Sequence, residues 1–544
     1  MELKSIPDVK NVKKFGFLDA AKLIIGFAFL LLAMIYTSAF QADGFAGSGK
    51  LLIIAAIFGC YMALNIGAND VANNIGPAVG SRAVSLFWAI VLAAIFELSG
   101  ALVAGSDVVM TIKKGIVDSD AIINTDANTF IWVMMAALLG GAVWLNIATF
   151  FGAPVSTTHA IVGGVAGAGV AAVGWGIIKW KSLAIIVSSW IVSPFLGGII
   201  AVGLLFFIKK AILLKNDKKT AAKKIVPPLI SFMIFSFVTY ILLKGFGNIL
   251  NINFLTAVSI SLFISLLAYF AIKPLIARAS DRLPNSRRAV NWLFNVPLVF
   301  AAAMLSFAHG ANDVSNAVGP LAAIADVVSG GLSNMNANIP FWVMFLGASG
   351  IAVGLILYGP KLVKTVGSEI TELDQVRAFC IAMSAALTVI VASQLGLPVS
   401  STHTAIGGIF GVGFLREWLL RNTLKEEIEI DPKKVHVKAE QKKLEEYKNE
   451  LESLGKLKKV DPLFVKELMT KINEEKRLIS KITTHKTHNL EITKIEKKAL
   501  KAVKKHEFVK RSALKMIIAA WLITVPAVGV LSAMFYYMLR GMML

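Results

Sequence analysis

Two nearly identical polar stretches, GANDVANNIGP at residues 67–77 and GANDVSNAVGP at residues 310–320, each follow an apolar run in this 544-residue chain. A charge placed inside a bilayer costs several kcal/mol at least, so the single aspartate in each stretch marks a functional site. Carboxylate and amide oxygens are hard ligands that suit a small cation. The two stretches therefore predict a cation site formed by Asn69, Asp70, Asn73, Asn312, Asp313 and Asn316. If the ion is sodium, Asp70 and Asp313 are its expected charged ligands.

A second duplicated motif, APVSTTHAIVGG at residues 153–164 and LPVSSTHTAIGG at residues 397–408, places hydroxyls directly before glycine-rich apolar segments. Hydroxyls in this position cap a helix N-terminus, whose backbone N–H groups favour an anion. Two such helix ends that converge would suit a tetrahedral oxyanion. The predicted substrate-binding residues are Ser156, Thr157, Thr158, Ser400, Ser401 and Thr402. The alternative is that they are ordinary caps and kinks, because Ser and Thr are common where membrane helices break.

Four further residues are candidates for coupling to a proton or cation. Glu97 lies in the apolar sequence FELSG, and its counterpart in the second half of the chain is Ile351. The three histidines outside the charged segment 416–511 fall in or beside motifs, at His159, His309 and His403. Structural hydrogen bonding across helices is the alternative role for each of them.

The composition predicts an all-α polytopic membrane protein. Hydrophobic residues make up 56% of the chain and charged residues only 16%, with a mean hydropathy of +0.70. Runs of roughly 20 apolar residues, as a bilayer core demands of helices, recur along most of the length. The predicted spans are 20–40, 51–75, 84–106, 130–151, 158–177, 180–208, 228–247, 254–276, 292–318, 341–360, 376–396, 402–415 and 513–540.

Charge and cysteine content exclude several classes. The net charge of +21 is concentrated at span ends and in one late segment, so the expected partner is the lipid bilayer and not nucleic acid. Cys60 and Cys380 both lie in apolar runs and are predicted to be buried small hydrophobic residues, with neither a disulfide framework nor a metal cluster.

Basic loops predict the orientation in the cell (inner or plasma) membrane. Residues 209–224 and 278–288 are short and strongly positive, so both are expected in the cytoplasm. Counting crossings from them gives a cytoplasmic N-terminus and an external C-terminus. Lys113 and Lys114 fall on the external side in this count, against the general trend. A cleaved signal sequence is the alternative for the first span.

Residues 416–511 are rich in Lys and Glu and hold apolar residues at helical spacing, which predicts a helical cytoplasmic insertion. Its role is open between a solvated insertion without chemistry and a docking segment for an unknown cytoplasmic partner.

The duplication extends beyond the motifs. Residues 100–112 align with 354–366, and residues 182–194 align with 513–526, in the same order as the polar motifs. An odd number of crossings, about seven, separates the two aspartate motifs, so the halves should face opposite ways, as in many secondary transporters. The fold prediction is two inverted-topology repeats of about five spans each, joined by two linking spans, with an extra N-terminal span. The predicted domains are 1–45 (extra span), 46–208 (first repeat), 209–289 (basic loop and linking spans), 290–415 (second repeat), 416–511 (insertion) and 512–544 (last span).

With GANDVAN paired to GANDVSN and PVSTTH paired to PVSSTH, the chain resembles the inorganic phosphate transporter (PiT) family of phosphate permeases. The resemblance covers both halves but neither the insertion nor the first span. It implies phosphate uptake coupled to sodium or protons, and it points to Glu97 as a functional residue. Some relatives carry sulfate, so the oxyanion stays open between phosphate and sulfate. A homodimer is also left open.

Charge accounting favours symport by alternating access. The four motif copies contain no Lys or Arg. Two aspartates and a phosphate ion would together bring a charge of about −3 or −4 into low dielectric, while a helix N-terminus offers only about +0.5. Such a site needs bound cations or protonated acids before it can close away from water. Substrate and co-ion should therefore depend on each other, with sodium or protons as transported ions and no resident cofactor.

Other functions fit the residues less well. A metal–phosphate permease stays open beside a sulfate permease, whereas a divalent-metal permease would have almost no soft ligands and no use for hydroxyl-rich helix ends. A membrane enzyme acting on phosphate esters would need one asymmetric site, so inverted duplication argues against catalysis. A scaffold whose insertion is the functional part would leave four polar motif copies in lipid unexplained.

Overall fold

The structure is a computed structural model, and it confirms an all-helical membrane architecture. Every regular element in its described residues is helical, apart from one isolated bridge between Val117 and Ile178. The described residues are 16–41, 49–151, 153, 155–246, 252–330, 338–369, 373–430, 432–454, 462–484 and 511–543. The predicted first domain, 1–45, is therefore described only over 16–41.

Twenty α-helices build the described chain. They are α1 Phe17–Gln41, α2 Gly49–Asn69, α3 Val71–Gly80, α4 Leu86–Ala104, α5 Ser106–Lys114, α6 Ser119–Thr125, α7 Ala127–Phe151, α8 Thr157–Val173, α9 Trp180–Ile208, α10 Lys218–Lys244, α11 Phe254–Asp281, α12 Arg287–Leu293, α13 Asn295–Asp313, α14 Ser315–Gly330, α15 Phe341–Glu369, α16 Gln375–Gln394, α17 Ser401–Ile430, α18 Pro432–Leu454, α19 Pro462–Thr484 and α20 Arg511–Met543. Among the described residues, ten helices are long and apolar enough to cross a membrane, or eleven if the bent α12–α14 segment counts as one.

The predicted span 158–177 is replaced by one arm of a hairpin. Helix α8 has only 17 residues and follows α7 after a short turn. The base of this hairpin is closed by backbone hydrogen bonds, from Asp118 N to Ile177 O at 2.8 Å and from Lys179 N to Ile116 O at 3.0 Å. Because the chain enters α7 and leaves α8 at the same edge, the motif at the tip points into the helical bundle. Hydropathy does not distinguish such a hairpin arm from a crossing helix.

Two other predicted spans also differ from the structure. The segment 402–415, predicted as a half-helix, is the start of the 30-residue helix α17. The segment 292–318 is interrupted twice, at Phe294, where the axis bends by 41°, and at Val314 beside the aspartate motif. A break at an aspartate motif also separates α2 from α3 at Asp70.

Serine caps begin both motif helices. Ser156 has extended backbone angles, and its Oγ accepts a hydrogen bond from His159 N at 3.2 Å. Ser400 Oγ accepts from His403 N at the same distance, 3.2 Å. Capping of this kind satisfies donors that the first helical turn leaves free, so each helix starts directly at the tip of its hairpin.

Glycine contacts join the two halves in a reciprocal pattern. A Cβ on Gly67 would overlap the backbone carbonyl oxygen of Ile351, and a Cβ on Gly310 would overlap that of Glu97. The absence of side chains at these points lets α2 lie against α15 and α13 lie against α4. The inverted orientation of the halves and the predicted domain boundaries stay predictions.

The last helix of each half packs on the hairpin of the other half. Gly163 in α8 lies against the backbone of Val525 in α20, and Gly407 in α17 lies against that of Pro194 in α9. Helices α9 and α20 contain the aligned segments 182–194 and 513–526. The hairpin tips are therefore enclosed by helices from both halves.

Residues Gly413–Val509 form a compact unit of their own. In this unit α18 and α19 pack together, and Leu468 and Ile472 of α19 are buried. Its surface carries i,i+4 ion pairs such as Lys471 with Glu467 at 2.7 Å.

Candidate functional site

The two aspartates lie at the helix breaks inside the bundle. Asp70 separates α2 from α3, and Asp313 is the last residue of α13. Their exposed fractions are only 1% and 0%. A carboxylate so far from water is stable only with hydrogen bonds, a proton or a bound cation.

The hairpin tips bring hydroxyl groups to both carboxylates. Thr157 Oγ1 lies 2.6 Å from Asp70 Oδ2 and 3.4 Å from Asp313 Oδ2. From the other tip, Ser401 Oγ lies 3.3 Å from Asp313 Oδ2 and Thr402 Oγ1 lies 3.1 Å from Asp70 Oδ1. All four copies of the predicted motifs thus meet in one site.

The remaining predicted substrate residues have other contacts. Ser156 and Ser400 cap their helices, as described above, and Thr158 Oγ1 donates to Val399 O of the opposite hairpin at 3.1 Å. The predicted hydroxyl and carboxylate groups form one network, because the hydroxyls donate directly to the acids.

Two asparagines present oxygens suited to a cation. Asn73 Nδ2 donates to Thr402 Oγ1 at 2.9 Å, and Asn316 Nδ2 lies 3.1 Å from Thr157 Oγ1. The Oδ1 atoms of both asparagines, and Oδ1 of Asp313, are buried without a hydrogen-bond partner among the described residues. Buried oxygens of this kind are normally satisfied, so these three atoms are candidate ligands for a small hard cation.

The amide groups of the other two predicted cation ligands contact the hairpins, and Asn312 Oδ1 is also buried without a hydrogen-bond partner among the described residues. Asn69 Nδ2 lies 3.0 Å from Thr149 Oγ1, and Asn312 Nδ2 lies 3.0 Å from Ser393 Oγ. Asn69 Oδ1 also accepts from Val155 N at 3.4 Å. Thr149 and Ser393 were missed from the sequence, although each lies eight residues before a motif hydroxyl in its own half. That equal spacing was the available signal.

A chain of short polar contacts connects Glu97 to this centre. Asn74 Nδ2 donates to Glu97 Oε1 at 2.8 Å, and Glu97 Oε2 lies 2.6 Å from His309 Nδ1. His309 Nε2 lies 3.0 Å from Asp313 Oδ2, and all of these side chains are buried. One ligand atom from each of Asp70, His309 and Asp313 can be chosen so that all three lie within 4.8 Å of one another. The imidazole therefore links two acids and also borders the candidate cation site.

The other two histidines are separate from the carboxylates. The His159 and His403 rings meet edge to face with centroids 4.5 Å apart. Each also packs on a tryptophan, with centroid distances of 3.8 Å to Trp190 and 3.6 Å to Trp521 respectively. Of the four predicted coupling residues, the structure brings Glu97 and His309 into the acidic network and places the other two in an aromatic stack. Trp190 and Trp521 occupy the same position in the two aligned segments, so the sequence contains a signal for this pairing.

Comparison with known proteins gives consistent matches. The model of a family described as the phosphate transporter family matches residues 66–532. A Helicobacter pylori protein named "Putative phosphate permease" is 47% identical over 541 residues, which cover 98% of this chain and 98% of the relative. A "Putative phosphate permease" of Pyrococcus abyssi is 39% identical over 368 residues, covering 67% of this chain and 89% of the relative.

A solved structure extends the likeness to three dimensions. The protein described as "The sodium-dependent phosphate transporter" is 31% identical, with a TM-score of 0.69, and the match covers 90% of this chain and 99% of that one. Sequence and fold thus match the same class of protein.

Proposed function

Because this chain belongs to the phosphate transporter family, we propose that it takes up inorganic phosphate by sodium symport through alternating access. Its family is one of transporters, which confirms the prediction that the chain is not an enzyme. Sodium is preferred to protons as the driving ion because the solved relative is described as sodium-dependent. Phosphate is preferred to sulfate because the relatives are named for phosphate.

The observation that carries the proposal is the shared hydroxyl of Thr157, which lies 2.6 Å from Asp70 and 3.4 Å from Asp313. Two buried acids so close together repel each other, and an anionic substrate would add to that repulsion. Sodium ions bound to the unpaired oxygens of Asn73, Asn316 and Asp313 would relieve it. Phosphate would then bind at the tips of the two hairpins, where Ser401 and Thr402 provide hydroxyls.

Alternating access is supported by how the two hairpins meet. Thr158 of the first tip touches Val399 of the second at 3.1 Å, so the tips close on each other at the site. The reciprocal glycine contacts of Gly67 and Gly310 support two structurally equivalent halves. Rocking of one half against the other would expose the site to each side in turn.

The test is phosphate uptake into proteoliposomes with sodium and pH gradients imposed separately. We expect uptake to follow the sodium gradient. Asp70→Asn and Asp313→Asn should each lower uptake at least about 100-fold, because each removes a negative charge that binds the co-transported sodium. Asp19→Asn in α1, a half-buried aspartate outside the motifs, is the matched control and should leave uptake unchanged. Uptake driven by the pH gradient alone would refute sodium coupling, and accumulation of sulfate in place of phosphate would refute the substrate assignment.

A further inference from the structure

A cavity with both polar and apolar lining residues lies beside the second hairpin. Its volume is about 470 Å³, and its wall includes two lysines, Lys114 and Lys179, and two hydroxyl residues, Thr111 and Ser182. Residues 395–397, in the turn that leads to the second hairpin tip, form another part of the wall. We call this cavity the lysine pocket.

The lysine pocket is tied directly to the hairpin turn. Thr111 Oγ1 donates to Gly396 O at 2.7 Å, and Asn312 Nδ2 of the aspartate motif donates to Leu397 O at 3.1 Å. Trp190 Nε1, about one turn further along α9 than the pocket residue Ile186, donates to Pro398 O at 3.1 Å. One short peptide segment thus separates the pocket from the hydroxyls at the start of α17.

Two lysines and a neighbouring ion pair determine the charge around the pocket. Lys113 is buried and forms an ion pair with Asp326, so that carboxylate is already neutralised. Lys179 Nζ donates to Lys114 O at 3.2 Å, which holds its ammonium beside the pocket. Partial burial lowers the pKa of Lys114, and the Lys113 ammonium adds to this, while Asp120 and Asp326 act in the opposite direction.

The position of these lysines runs against the usual charge bias of membrane proteins. Helix α9 starts beside Lys179 and ends at Ile208, next to the strongly basic segment 209–224. Positive residues normally collect on the cytoplasmic side, and that segment already provides them. Lysines at the opposite end of α9 therefore do not serve orientation.

We propose that the lysine pocket is a first binding site for a tetrahedral oxyanion, which enters here before it reaches the hairpin tips. The two ammonium groups and the Ser182 hydroxyl provide charge-assisted donors for a phosphate group. Positive charge at the mouth of a cleft raises the local concentration of an anion and speeds its capture. The site at the hairpin tips contains aspartates, which repel an approaching anion. The lysines of the lysine pocket would offset that repulsion. This inference rests on the proposed phosphate transport.

Chemical labelling tests occupancy directly. Ser182→Cys places a thiol in the wall, while the native Cys60 and Cys380 are buried. We expect an anionic methanethiosulfonate reagent to react rapidly, and inorganic phosphate, but not chloride at equal ionic strength, to slow the reaction. Replacing both Lys114 and Lys179 by Gln should slow the reaction about 10-fold and abolish protection, whereas replacement by Arg should preserve both. The exposed Lys181→Gln is the control that removes one charge nearby.

Three outcomes of the labelling experiment distinguish phosphate binding in the lysine pocket from other roles. Protection that persists in the Asp313→Asn background supports the pocket even if that variant no longer transports. If wild type transports phosphate but phosphate never protects the thiol, the pocket is refuted while the proposed function stands. Protection that depends on anionic lipid and not on added phosphate assigns the pocket to a lipid headgroup and refutes a transport role.

Transport kinetics provide an independent readout. In proteoliposomes, the double Gln variant should show a phosphate KM raised about 10-fold with a retained maximal rate, and uptake that is less sensitive to ionic strength. An unchanged KM, or a lower maximal rate alone, would contradict capture by the pocket.

Discussion

The backbone carbonyl of Glu97 lies where a side chain on Gly310 would be. This contact brings α4 directly against α13, so that the Glu97 carboxyl group reaches His309. The contact between Glu97 and His309 therefore depends on the absence of a side chain at Gly310.

We therefore expect Gly310→Ala to push α4 away from α13. Overpacking against a backbone atom should lower the free energy of unfolding by about 2 kcal/mol or more. Thermal unfolding of the detergent-purified variant, with phosphate uptake in parallel, measures this. Gly203→Ala is the control, because a Cβ there would meet nothing within 4 Å. Equal stability of the two variants would contradict the close packing.

The ion pair of Lys113 and Asp326 predicts a strong non-additive effect. Lys113→Met leaves the Asp326 carboxylate buried and alone, so we expect a loss of about 3–5 kcal/mol of stability. Adding Asp326→Leu should restore most of it, because the one charge left unpaired by Lys113→Met is then removed. A double-mutant cycle of thermal stability measures the coupling, and strictly additive losses would argue against the pair.

The histidines should differ in their effect on transport. His309→Phe breaks the link between Glu97 and Asp313 and should lower the uptake rate at least about 100-fold. His159→Phe and His403→Phe keep a ring in the aromatic stack, so uptake should stay within about threefold of wild type. Initial rates of phosphate uptake decide this, with protein amounts matched in the vesicles. Equal losses in all three variants would place the stack in the transport machinery.

Asn69 and Asn73 of the first aspartate motif should differ in what their replacement changes. Asn73→Ala removes a candidate sodium ligand, so we expect the sodium concentration for half-maximal uptake to rise about 10-fold. Asn69→Ala removes the anchor of the first hairpin and should cost about 1–3 kcal/mol of stability. Sodium titration of uptake and thermal unfolding of both variants test this division. If Asn69→Ala changed only the sodium dependence, the anchoring role would be refuted.

Duplication made the meeting of the four motifs predictable from the sequence. Asp70, Asp313 and the hydroxyls of Thr157 and Ser401 converge as their repeated motifs suggested. Composition and apolar runs also predicted an all-helical membrane protein, which is confirmed.

Other features could not be predicted, because they depend on tertiary contacts. Helix α8 is as apolar as a crossing helix, and only its length and the hydrogen bonds of Asp118 and Lys179 reveal a hairpin. Asn69 and Asn73 are chemically identical, so their different partners follow from the packing of the hairpins alone. The lysine pocket combines residues from three distant segments.

The exchange of terminal helices between the halves affects how the protein is made. Helix α8 contacts α20, which is synthesised more than 300 residues later, through Gly163 and Gly167. Until the ribosome has delivered that final segment, the glycine face of α8 has no cover from it. Biogenesis should therefore pass through an intermediate in which the hairpin of α7 and α8 is not yet packed against α20. Completion of the fold should be a late event.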